Sequence, residues 1–183
     1  MSRLPIFALF GVLMVAVGAA GAQDIDKGYE ALRRGDYTAA LAEIKPLAEQ
    51  GHAGAQYNLA KLYDEGRGVP RDGEQAAAWY LRAAEAGSWI AAFDLGMLYW
   101  GQSQAAGVMD GASNDALVRV HMWFGIAAAM EVVGCVAIGA PLRDVVAQSM
   151  TAEQIAGAQE LTHIWLAAHP SKDVNMASAK WGC

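Results

Sequence analysis

The chain is poor in the residues that most often announce chemistry. Only two cysteines, Cys135 and Cys183, occur in 183 residues, and their separation excludes a CxxC redox pair or a cysteine-framed zinc site. The histidines, His52, His121, His163 and His169, never stand at i, i+4 on one helix face, so the spacing of helical zinc sites is absent. There is no Gly-x-Ser-x-Gly elbow and no glycine-rich phosphate loop ending in Lys-Ser or Lys-Thr. Basic residues are few and scattered, 13 against 19 acidic for a net charge of −6, which makes nucleic acid and anionic lipid surfaces poor partners. These gaps leave no catalytic, cofactor or metal set to assign. The chain is expected not to be an enzyme.

What the chain does have is internal repetition. Residues 47–63 read LAEQGHAGAQYNLAKLY and residues 83–99 read AAEAGSWIAAFDLGMLY, so that Gly51, Ala55, Leu59, Leu62 and Tyr63 recur 36 positions later as Gly87, Ala91, Leu95, Leu98 and Tyr99. Upstream of this match, Asp36 and Ala40 recur as Asp72 and Ala76 at the same offset. A period of this size marks a solenoid, whose helical units cannot bury their apolar faces alone and must stack on their neighbours.

The first 22 residues stand apart from that array. Arg3 and the free amine are followed by an apolar stretch from Ile6 to Val17, too short to span a bilayer comfortably, and by Ala20-Gly21-Ala22, a small-x-small cleavage site ahead of Gln23 and Asp24. A cleaved secretory leader over residues 1–22 is expected, with an uncleaved membrane anchor as the alternative. After cleavage no stable membrane insertion is expected. In an oxidising compartment Cys135 and Cys183 pair into a disulfide or remain two free thiols, the first buried and the second at a frayed end.

Helix signals follow in order. Helices are expected over 26–34 and 37–50, with Asp36 as cap and Pro46 bending or shortening the second. The next pair falls at 52–64 and 73–86, with Gly66 and Gly68 closing the first and Asp72 capping the second. Gly66-Arg67-Gly68 is no dinucleotide loop, since nothing upstream reads as a strand. A third pair, 88–100 and 115–130, is joined by a long Gly-, Ser- and Gln-rich connection at 101–114 that is a candidate mobile loop. The last pair, 142–149 and 152–168, has Pro141 in a first turn and Thr151 ahead of Gln154 in a capping-box pattern. Residues 169–183 carry no helical period and are expected to form an extended tail.

Ala55, Tyr57, Leu59, Ala60, Leu62 and Tyr63, then Gly66, Gly68, Val69 and Asp72, then Ala76, Trp79, Ala83, Ala84 and Gly87 resemble the Sel1-like repeat family, a relative of the tetratricopeptide repeat. A divergent third unit, VRVHMWFGIAAA at 118–129, resembles a second helix of the same family, with Trp123 matching Trp79 at an offset of 44 and Val120 where a small residue is usual. Residues 142–165 resemble the family's closing pair. The resemblance implies an all-α, right-handed α-solenoid of about three to four antiparallel helix pairs over residues 23–168.

In that fold the first helices of successive units line a concave groove. Setting Leu59 and Leu95 in the family's inward register places Tyr57, Lys61, Asp64, Phe93, Met97 and Trp100 on the groove face. This set pairs aromatic and methionine anchors with one charge of each sign and suits a peptide or protein partner; the alternative for Tyr57 and Phe93 is that they fill the space between units. Trp79, Tyr80, Trp123 and Phe124 read as packing residues, as does His121.

The resemblance further implies a periplasmic adaptor or regulator. Its alternatives are a secreted factor or a scaffold of an envelope complex and, with least support, a cell-wall or β-lactam hydrolase. Exported relatives associated with β-lactams resemble a framework with paired cysteines in each repeat, which Cys135 and Cys183 alone do not supply.

Overall fold

A computed structural model describes residues 20–105, 114–130 and 138–170; most of the expected leader, both cysteines and the tail from 171 onward lie outside the described residues. Within them the chain forms helices and no strand. Helix α1 (Ala20–Arg34) turns back into α2 (Tyr37–Glu49), α3 (Ala53–Glu65) into α4 (Gly73–Glu85), and α5 (Trp89–Ala105) precedes α6 (Asn114–Met130). Helices α7 (Gly139–Ala147) and α8 (Ala152–Ala168) close the array. Each helix of the first three pairs packs on its neighbours in sequence, the stacking expected of a solenoid.

The repeat is visible in the backbone as well as in the letters. Gly51 and Gly87, at the turns into α3 and α5, adopt φ of +92° and +96°, a left-handed geometry that side chains with a Cβ rarely hold. The residue after each glycine caps the following helix. His52 Nδ1 accepts from the Ala55 N–H at 3.3 Å, and Ser88 Oγ accepts from the Ala91 N–H at 3.3 Å. The same cap is thus built from two chemically different residues, and His52 acts as acceptor only with Nδ1 unprotonated. Asp36 and Asp72 cap α2 and α4 as expected, and Thr151 with Gln154 closes the capping box of α8.

The core between helices is largely alanine. Ala40, Ala55, Ala60, Ala76, Ala83, Ala91 and Ala92 are fully buried around Ile44, Leu59 and Leu95, and small side chains let helix axes approach closely while the leucines and rings fill the remaining space. One ring contact repeats with the units. Tyr57 on α3 meets Tyr80 on α4 at 5.9 Å between centroids, and their counterparts Phe93 and Phe124 meet at 5.7 Å.

The third unit solves its packing differently. Val120 is buried with Leu117, Phe124 and Val146 in a second apolar cluster, adding bulk where the preceding unit has Ala76. On the facing helix Ala60 is replaced by Gly96, and a Cβ there would lie 2.8 Å from the Phe124 ring. The methyl group removed from α5 thus makes room for the Phe124 ring of α6.

Two expectations about elements are corrected. Helix α5 runs on to Ala105, past the expected end at residue 100; Ser103 is buried and donates to the Trp100 carbonyl at 2.8 Å, holding the extra turn. The connection that was expected over 101–114 therefore narrows to residues 106–113, outside the described residues. Pro46 lies inside α2, which ends at Glu49, one residue short of the expected 50. The closing helices are not a plain hairpin, because α7 and α8 each pack on α6 more than on each other. Gly139 allows the first of these contacts, since a Cβ there would stand 2.8 Å from the Ala128 backbone nitrogen. Gly125 allows the second, facing Thr162, whose hydroxyl donates to the Ala158 carbonyl at 2.9 Å.

Candidate functional site

The six residues expected on the groove face fall into two groups that meet at α5. Tyr57 on α3 is half-buried and its hydroxyl donates to Asp94 Oδ2 on α5 at 2.9 Å, a bond that ties one unit to the next. One turn further along α3, Lys61 Nζ lies 3.1 Å from Glu65 Oε1. Asp64 is held by Arg71, whose Nε donates to the Asp64 carbonyl at 2.7 Å and whose guanidinium lies 3.6 Å from its carboxylate. Arg67 adds a second cation to Glu65 at 3.0 Å.

The apolar group lies on α5. Phe93 and Trp100 both pack on Phe124, Trp100 edge-on at 5.7 Å between centroids. Met97, between them on α5, is 43% exposed and is the one large apolar side chain of the set that is free to touch a partner. Phe93 and Trp100 thus anchor the α5 turns on either side of Met97 to α6.

Asp94 was not picked out in the sequence. A single acid on a helix ordinarily reads as solvated, and the signal was faint: Asn58 occupies the same place one unit earlier. The two differ in how they are satisfied, for Asn58 donates back to the Gly54 carbonyl of its own helix at 2.7 Å.

Burial is the main force on the charges here. It raises the Asp94 pKa above the usual carboxylate range, with Asp64 and Glu65 pushing the same way while the Tyr57 hydrogen bond and Lys61 pull against it. The Tyr57 hydroxyl is pushed far above the ordinary phenol range, by burial first and then by the Asp94 charge. A carboxyl whose native pKa lies above its unfolded value binds its proton more tightly when folded; its contribution is complete below the unfolded pKa and lost as pH rises through the native one. Asp94→Asn, which keeps an acceptor for Tyr57 and cannot ionise, is therefore expected to raise the melting temperature at neutral pH by about 2 °C. The difference should shrink to nothing as acid protonates the wild type. Calorimetry at the two pH values checks this, and a lower melting temperature for the variant at neutral pH contradicts it.

Elsewhere the candidates are structural. His121 is buried within α6, and burial, followed by the nearby Arg143, lowers its pKa, so it packs as a neutral ring. Trp79, Tyr80, Trp123 and Phe124 are buried as expected. Among the described residues no group of three or more His, Cys, Asp or Glu is placed to hold a metal ion. A separate open cleft of about 400 Å³ is lined by Gly73, Ala77, Leu81, Tyr99, Gln102 and Arg119 among others, and shares none of the six face residues.

Comparison with known proteins agrees with this architecture. Residues 53–88 match the Sel1 repeat family model. Over 45 residues, 25% of this chain, the sequence is 44% identical to the DAP3-binding cell death enhancer 1 of Rattus norvegicus, and equally to that of Mus musculus. The match spans only 9% of each of those proteins. Among solved structures, a protective antigen present in uropathogenic Escherichia coli strains, displaying an SLR fold, superposes with a TM-score of 0.69 at 24% identity, over 89% of this chain and 33% of that one. The class is a helical repeat scaffold. More particularly, residues 53–88 carry a Sel1 repeat, and the fold as a whole is similar to that of the SLR-fold protein.

Proposed function

We propose that this protein is a non-enzymatic interaction module that binds a peptide or protein partner on the face formed by α3 and α5. The observation that carries the reading is Met97, exposed on α5 one turn from the Asp94 carboxylate, a combination that offers apolar burial together with directional polar contacts. The Sel1 repeat and the helical-repeat fold support a binding role, and the name of one relative records the binding of another protein, DAP3. The residues of the expected leader support export and a periplasmic adaptor or regulator; among the described residues no helix is long and apolar enough to cross a membrane. Acidic net charge supports a protein over a nucleic acid as the partner.

Cross-linking capture from envelope extract tests this reading. Met97→Glu changes an exposed position and should leave the melting temperature within a few degrees of wild type, while placing a charge where the partner's apolar surface must sit. Recovery of the partner should fall by about tenfold or more. Equal recovery by wild type and variant would remove the α3 and α5 face from the binding site.

A further inference from the structure

The charges around Asp94 do not balance by pairing. The three cations of the site are engaged with the other two carboxylates: Lys61 and Arg67 with Glu65, and Arg71 with Asp64. Asp94 makes no ion pair among the described residues, and its one hydrogen bond comes from the neutral Tyr57 hydroxyl onto Oδ2. An ionised carboxylate offers about four acceptor sites on two oxygens, so one neutral donor leaves most of the capacity of this partly buried group to solvent or to an incoming donor. The equivalent position one unit earlier has no such deficit, because Asn58 is neutral and bonded to its own helix.

Asp94 and Met97 lie three residues apart on α5, a spacing that puts side chains on one helix face. An open carboxylate therefore stands one turn from the exposed apolar side chain. Resting on the binding face proposed above, we infer that Asp94 selects the partner: the segment bound there carries a lysine or arginine whose cation pairs with the Asp94 carboxylate, beside an apolar residue that covers Met97. An incoming ammonium or guanidinium supplies the donors that the fold leaves out, in a partly desolvated setting where charge-assisted hydrogen bonds are stronger than at an open surface. A partner with an acidic residue at that point would meet the Asp94 carboxylate with no free cation to pair with, since Lys61, Arg67 and Arg71 are engaged by Glu65 and Asp64, and would be disfavoured.

The test uses random peptides displayed on phage and selected at neutral pH against the immobilised full chain. Selected peptides are then synthesised and titrated by fluorescence anisotropy against wild type, Asp94→Asn and Met97→Glu. The asparagine variant preserves shape and the Tyr57 acceptor, and circular dichroism confirms that both variants are folded. The expected result is enrichment of Lys or Arg next to an apolar residue, with affinity about tenfold weaker for each variant. Peptides that require Met97 but carry no basic residue, or that bind Asp94→Asn as tightly as wild type, overturn the selection by Asp94 and leave the binding face standing. Peptides indifferent to both substitutions, or no selected peptides at all, overturn the face and the selection with it.

Discussion

Gly68→Ala is expected to destabilise the fold by about 3 kcal/mol, the sum of two penalties of roughly 1–2 kcal/mol each. The first is conformational, since Gly68 has φ of +75° and an alanine there pays for the left-handed geometry. The second is steric. The added Cβ would lie 2.9 Å from Tyr37 Cβ and 3.0 Å from the Tyr37 carbonyl oxygen, at the start of α2. Neither atom is the end of a flexible side chain that could swing away, so the loop between α3 and α4 would have to lift off the preceding unit. Arg67, whose guanidinium sits 5.4 Å from the Tyr37 ring centroid, would lose its seat as well. Gly87→Ala serves as the control, with φ of +96° but nothing within 4 Å of the new Cβ, and should cost only the conformational part, about 1 kcal/mol. In thermal melts the two variants should separate by several degrees. Equal losses would mean that the contact with Tyr37 carries no weight.

The same glycine shows what the sequence could and could not convey. The places of Gly51 and Gly87 at the turns and the caps at Asp36 and Asp72 follow from the 36-residue period, and the loop place of Gly68 follows from its pairing with Gly66 after a helical stretch, because these features depend on residues close by in the chain. The contact that makes Gly68 obligatory is with Tyr37, far upstream, and no local pattern encodes it. Asp94 escaped notice for a related reason: its partial burial and its bond to Tyr57 come from the neighbouring unit. Trp100 and Phe93 were placed on the right helix, but their depth depends on Phe124, whose spacing departs from the period by the longer connection in the third unit. The mounting of α7 and α8 on α6 was invisible because nothing in the sequence near Gly125 and Gly139 names the element that packs on each of them. In the structure they are the points of closest approach.

Phe124→Ala should be among the most destabilising single changes in the described chain, at about 4 kcal/mol. The ring is fully buried and supports both Phe93 and Trp100, so truncation leaves a cavity beneath the residues that carry Met97. Its consequence for Gly96 discriminates a specific fit from general loss of packing. In the wild type, Gly96→Ala would bring a Cβ within 2.8 Å of two Phe124 ring carbons, and the overpacking cost of about 1–3 kcal/mol should exceed the roughly 1 kcal/mol that alanine gains over glycine inside a helix. In the Phe124→Ala background the obstacle is gone, so the same substitution keeps its helical gain and fills part of the cavity. Gly96→Ala is thus expected to reverse sign, destabilising alone and stabilising in the double variant, with a coupling of about 2 kcal/mol in a denaturant-unfolding cycle. Additive effects would show that α5 and α6 slide to accommodate the methyl group. A reversal would establish that the glycine on one helix and the phenylalanine on the other form a matched pair, the packing that seats α5 on α6.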